Sequence, residues 1–150
     1  MPHSFSQIYI HVVFGTKYRS ATIPEEMQKE LYAYMARILK EMECNALQFG
    51  GIPDHVHILL SLSRNRSIAK VVEELKRASS KWLKSQRPQF SGFQWQQGYG
   101  AFSVSHSNLA QVVRYLRNQE QHHKRMTFSE ECASIAEKYG IHLTPRIRGA

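Results

Sequence analysis

The stretch GGIPDHVHILLSL, residues 50–62, decides the fold. Val56, Ile58, Leu60 and Leu62 recur at every second position, with His55 and His57 in the alternate places. Successive side chains of a strand point to opposite faces, so one face is aliphatic and the other carries two imidazoles. The alternation predicts a strand over 55–63 whose aliphatic side is buried. Pro53 and Asp54 favour a tight turn, which joins this strand to another over 45–51.

Upstream, residues 4–16 alternate in the same way. Ile8, Ile10, Val12 and Phe14 share one face, and Tyr9, His11 and Val13 share the other. That pattern predicts a strand buried on one side and partly polar on the other. Thr22 and Glu25 have capping-box spacing, and Pro24 is tolerated in a first helical turn. The helix they start runs to about residue 43, with Met27, Leu31, Tyr34, Met35, Ile38 and Leu39 as its apolar stripe. Downstream, a helix covers 67–86, a loop with Pro88 and Gly92 covers 87–97, and a strand covers 98–105. Ser107 or Asn108 can cap a helix running through 122. Thr127 and Glu130 form a second capping box, and that helix stops at Gly140. The order is β-α-β-β-α-β followed by two helices. It predicts an α+β protein with a ferredoxin-like antiparallel sheet, helices packed on one face, and additional C-terminal helices. Residues 1–150 read as one domain.

The chain is 42% hydrophobic and 21% charged, which supports a packed core rather than disorder. No apolar stretch reaches membrane-spanning length, and the first residues lack the basic and apolar segments of a secretory signal. Cys44 and Cys132 are far apart and lack CxxC spacing, as expected of thiols in a reducing cytoplasm. Lys and Arg number 20 against 12 Asp and Glu, a net charge of +8 that points to a polyanionic partner such as nucleic acid. Lys70, Arg77, Lys81 and Lys84 form a basic stripe on the helix over 67–86, interrupted by Glu74, and Lys17 and Arg19 add charge at a strand end. A solvated helix face fits the same pattern. Tyr18, Phe90, Phe93, Trp95 and Tyr99 lie near enough in sequence for one or two of them to stack on bases.

Two imidazoles at i and i+2 of one strand can converge on a single metal ion, although His-x-His also occurs on ordinary solvated strands. On the helix beginning near residue 108, Gln111, Tyr115, Gln119 and His122 form a stripe beside the apolar Leu109, Val112, Val113 and Leu116. Tyr115 and Gln119 are one turn apart on one face. A phenol can act as a nucleophile beside a cation, and an amide oxygen suits a hard ion such as Mg2+. An amphipathic helix with a tyrosine on its margin would look the same.

Together these parts are far more specific. The strand HVHILLSL resembles the histidine–hydrophobe–histidine, or HUH, motif, and VVRYLRNQ resembles the helix that follows it in the single-tyrosine HUH transposases of bacterial insertion sequences, the IS200-like transposases. YIHVVFGTKYR and GGIPDHVHILL are similar to that family's first strand and metal strand, so the resemblance covers roughly residues 6–123. It implies that His55, His57 and Gln119 hold Mg2+ or Mn2+, and that Tyr115 cuts single-stranded DNA through a 5′-phosphotyrosine link. It also implies hairpins near element ends as partners and a bacterial or archaeal cytoplasm. A homodimer is implied too, in which the tyrosine helix of one subunit can complete the metal site of the other; a helix folded back on its own sheet is equally compatible with the residues. Two alternatives remain. One is a domesticated relative serving repetitive extragenic palindromes. The other is a non-catalytic ferredoxin-like nucleic-acid-binding module. No role is assigned to residues 146–150.

Overall fold

A computed structural model describes residues 4–20 and 22–141; residues 146–150 lie outside them. Strand β1 (Tyr9–Gly15) leads to α1 (Glu25–Glu41), the hairpin β2 (Asn45–Ile52) and β3 (His55–Ser61), α2 (Ile68–Gln86) and β4 (Gly100–Val104). Helices α3 (Leu109–Arg117), α4 (Gln119–His122) and α5 (Phe128–Lys138) follow. The sheet order is β2-β3-β1-β4, and every neighbouring pair is antiparallel. This is the ferredoxin-like arrangement expected of the alternating β-α-β-β-α-β pattern. No helix among the described residues is long and apolar enough to cross a membrane.

The aliphatic faces of β1 and β3 meet α1 and α2. Ile10, Val12 and Phe14 join Val56, Ile58 and Leu60 beneath Leu31, Met35 and Leu39 of α1 and Val72, Leu75 and Leu83 of α2, all buried. Each such side chain removed from water contributes about 1.5–3 kcal/mol before entropy is counted. The second face of the sheet is covered as well: Leu59, Val104 and Leu116 form a smaller core, with Leu109, Val112, Val113 and Tyr115 packed against it. The sequence placed His55 and His57 on a face apart from the core; the C-terminal helices close over that face and bury both.

Several boundaries differ from the sequence reading for local reasons. Helix α1 is preceded by Pro24 at its cap, without a capping box, because the Thr22 hydroxyl instead donates to the Ser20 carbonyl. Helix α2 keeps its expected cap, the Ser67 oxygen accepting from the Lys70 amide at 3.1 Å. Neither Ser107 nor Asn108 caps α3 through its side chain; a 3-10 turn at His106–Asn108 leads in. The single helix expected through residue 122 breaks at Asn118 (φ −98°, ψ 18°), a residue type that favours helix ends. The break re-aims the next side chain, Gln119, into the interior. The capping box of Thr127 and Glu130 is present at the start of α5.

One contact fixes where α3 sits. A Cβ on Gly50 of β2 would lie 2.0 Å from the Leu116 carbonyl oxygen. Only the missing side chain lets the backbone of α3 approach the sheet this closely.

Candidate active site

The site begins with the sheet. Antiparallel register sets Val13 opposite His57 and Gly15 opposite His55, so His11 is the diagonal neighbour of His57 on the same face. The two rings stack with centroids 5.0 Å apart, and His11 Nε2 lies 2.7 Å from His57 Nδ1. His55 stacks on Phe128 of α5 at 4.2 Å, nearly parallel, and its Nδ1 lies 2.7 Å from Asp54 Oδ1. The Asp54 carboxylate accepts, so Nδ1 carries the proton and Nε2 is left facing inward.

The C-terminal helices supply the rest. Gln119 Oε1 is 3.1 Å from His55 Nε2 and 3.0 Å from His123 Nε2. Gln119 Nε2 donates to Glu131 Oε2 at 3.0 Å, and the Tyr115 hydroxyl donates to the same oxygen. The other oxygen, Glu131 Oε1, lies 3.0 Å from His57 Nε2, 3.1 Å from His123 Nε2 and 3.3 Å from His55 Nε2. His123 Nδ1 is 2.7 Å from the Met126 carbonyl, which can only accept. Its proton is therefore on Nδ1, and Nε2 presents a lone pair. His122 Nε2 is buried without a hydrogen bond, 3.3 Å from Glu131 Oε2.

This donor set has a consequence. The Nε2 lone pairs of His55 and His123 face Gln119 Oε1 and Glu131 Oε1, which are acceptors themselves. Added protons on both rings or a cation between them would satisfy the cluster. Ligand atoms ~2.1 Å from a divalent ion and at right angles to one another are ~3.0 Å apart, close to the spacing found here. The ligand atoms of His55, His57, His123 and Glu131 all lie within 4.8 Å of one another. The residues fit a divalent metal.

The electrostatics follow from burial and the one carboxylate. Burial pushes the His57 imidazole down to about 4, against the pull of Glu131. Burial and the neighbouring His57 push His11 down to about 3, so it is a neutral ring able to accept from His57 Nδ1. At His55 burial opposes charge, but the adjoining Asp54 and Glu131 carboxylates outweigh it and raise the ring. Burial likewise opposes the Glu131 charge, and the surrounding rings of His123, His55 and His57 outweigh it, holding the carboxyl ionised. Burial and the adjacent Glu131 raise the Tyr115 phenol.

Of the residues singled out in the sequence, the fold brings His55, His57, Tyr115 and Gln119 into one cluster, all from one chain. His11 joins it through His57. His122, of the same stripe as Tyr115 and Gln119, and His123 face Glu131. Glu131 was missed altogether. Its signal was present: Phe128, Glu131, Cys132 and Ile135 share one helical face, so an acidic residue interrupts an apolar stripe.

The basic residues are only partly gathered. Lys17, Arg19 and Arg77 line one cleft of about 1040 Å3, together with Tyr18, Lys76 and Trp95. Lys70 lines a separate groove with Arg66 and Glu74, and Lys81 and Lys84 are exposed on α2 away from both. Arg77 pairs with Glu74, and Arg19 donates to the Ser129 hydroxyl. Phe90 and Phe93 belong to the core, and Trp95 packs against it, donating to Ser79 Oγ at 3.0 Å. Tyr18, 84% exposed, and Tyr99 remain open to stacking. A further cleft of about 640 Å3 reaches Tyr115, His122 and Glu131 between α3 and α5.

Comparison with known proteins bears on the family and the fold. A family model described as "Transposase IS200 like" matches residues 4–119. The ISDra2 transposase TnpA of Deinococcus radiodurans is 28% identical over 118 residues, 75% of this chain and 84% of that one. The crystal structure of a candidate transposase from Deinococcus radiodurans R1 superposes with a TM-score of 0.62 at 26% identity, covering 79% of this chain and 95% of that one. A REP-associated tyrosine transposase bound to a REP hairpin gives a TM-score of 0.61 at 10% identity, covering 82% and 73%, a likeness of fold. With the family match spanning the whole sheet and the tyrosine helix, the chain belongs to the IS200-like transposases.

Proposed function

We propose that the protein cuts and rejoins single-stranded DNA at insertion-sequence ends, with Tyr115 as the nucleophile beside a divalent metal held by His55, His57 and Gln119. The observation that carries this reading is the convergence of Gln119 Oε1 and the histidine lone pairs one helical turn from the Tyr115 hydroxyl. The metal, Mg2+ or Mn2+, would supply Lewis-acid withdrawal of charge from the scissile phosphate. Tyr115 Oη attacks phosphorus in line, its proton passes to Glu131 Oε2, which accepts from the hydroxyl, and the 3′ oxygen leaves with the bonding pair and takes up a proton from solvent. A 5′-phosphotyrosine and a free 3′-OH result, and a second 3′-OH can attack the link to restore a phosphodiester and free Tyr115. The bond energy is kept in the link, so no nucleotide triphosphate is needed. Asp54 and His11 hold the two strand imidazoles with Nε2 inward, so their orientation is set before DNA arrives.

DNA hairpins are the proposed partners, supported by the fold shared with a transposase bound to a REP hairpin. The same likeness supports the second reading, a domesticated relative acting on repetitive palindromes. The non-catalytic module is less well supported, because α3 to α5 cover the sheet face on which such modules stack bases. A homodimer is proposed with a complete site in each copy, since Tyr115 lies with His57 of its own chain.

The test uses a single-stranded hairpin oligonucleotide with flanking sequence. With Mg2+ or Mn2+ a DNA–protein adduct stable to denaturant is expected, and chelation with EDTA abolishes it. Cleavage that persists in EDTA would reject the metal assignment.

A further inference from the structure

We infer that Glu131 is itself a protein ligand of the metal, through Oε1, delivered by a helix outside the family-matched part of the chain. This rests on the metal site proposed above. The family match ends at Gln119, whereas Glu131 is on α5, whose start is set by the Thr127–Glu130 capping box.

Three observations support the assignment. Glu131 is 1% exposed, so its charge is kept from water and must be answered locally. No lysine or arginine answers it among the described residues: its ion-pair contacts are His55, His57, His122 and His123. Third, Oε1 is the point on which three imidazoles converge, at 3.0, 3.1 and 3.3 Å, while two of those rings have their protons committed elsewhere, to Asp54 and to the Met126 carbonyl. Those two nitrogens cannot donate to Oε1 as neutral rings. A cation bound by Nε2 of His55, His57 and His123, Oε1 of Gln119 and Oε1 of Glu131 turns the mutual opposition into shared ligation. The neutral imidazoles and the amide bring no charge to a divalent ion; the carboxylate brings one negative charge and raises affinity accordingly. Its second oxygen stays on the Tyr115 hydroxyl and Gln119 Nε2, which ties the nucleophile to the metal through one side chain.

The rival account makes Glu131 a hydrogen-bonded anchor for α5 and nothing more. The two differ in metal affinity. Mn2+ binding is titrated calorimetrically on the full chain for wild type, Glu131→Gln and His57→Gln, with a thermal melt of each metal-free protein. Glu131→Gln keeps the shape and replaces the charge; a loss of at least about tenfold in Mn2+ affinity is expected, alongside a similar or larger loss in His57→Gln. Glu131→Asp, which pulls the oxygen back by one methylene, is expected to weaken Mn2+ as well, and stands in if the glutamine variant does not fold. If His57→Gln loses Mn2+ and both Glu131 variants bind it as wild type does, or more tightly, the inference is overturned and the proposed site stands. If His57→Gln binds Mn2+ unchanged, the proposed metal site fails and the inference with it.

Discussion

In the proposed reaction Tyr115 acts through one atom. Its ring packs beside Leu116 and Val112 in the second core, and its hydroxyl alone reaches Glu131. Tyr115→Phe is expected to abolish cleavage and the covalent adduct while leaving hairpin binding within about twofold by gel shift, because the removed oxygen makes no packing contact. Adduct formation by the variant would move the nucleophile to another residue. His11 acts at one remove. For His57 to offer Nε2, its Nδ1 must carry the proton, and the neutral His11 ring accepts it at 2.7 Å. His11→Ala should lower Mn2+ affinity by about 10–100-fold, the usual cost of losing the partner that orients a ligand histidine. Unchanged Mn2+ binding by calorimetry would reject this role. The pairing of His55 with His57 and of Tyr115 with Gln119 was legible in the sequence because each spacing is local, and the family resemblance implied that the two pairs meet. Glu131 and His123 were not legible. Their proximity to the histidines comes from the tertiary path of the chain after Asn118, and no local period encodes it.

At the scale of elements, the strands and α2 read well from hydrophobic period and from Ser67 at the cap. The C-terminal third read less well, because a helix that continues in pattern can still stop where an asparagine favours an end, as at Asn118. The seating of α3 has a specific test. Gly50→Ala puts a methyl 2.0 Å from the Leu116 carbonyl oxygen, and that neighbour is backbone that cannot rotate away. The helix must lift, carrying Tyr115 away from His57. A loss of about 1–3 kcal/mol in stability by denaturant titration is expected from the overpacking. The loss of cleavage should exceed what that destabilisation alone predicts. Wild-type cleavage by a folded Gly50→Ala protein would show that α3 is seated otherwise.

The whole molecule sets two further expectations. Tyr115 and the strand histidines meet within one chain, so mixing Tyr115→Phe with His57→Ala should restore no cleavage even after verified subunit exchange. Recovery would show that the tyrosine helix crosses to a neighbour. The basic excess of the sequence is not one continuous face in the fold: Lys17, Arg19, Lys76 and Arg77 share one cleft, and Arg66 and Lys70 line another. Replacing Lys17 and Arg19 by Ala should flatten the salt dependence of single-strand binding by about 0.7 in log–log slope for each phosphate left without its cation, whereas Lys84→Ala should leave it unchanged. Equal slopes for all three would mean that the cleft does not track the backbone. The sheet order also governs how the chain comes into being. The strand made first, β1, occupies an interior place between β3 and β4, and His11 waits for a partner 46 positions later. During synthesis that strand leaves the ribosome with both edges unpaired. One edge is closed only by the hairpin and the other only by β4. Pairing of β1 therefore waits on distant segments, and until residues 55–61 and 100–104 are in place its two open edges are templates for pairing with other strands.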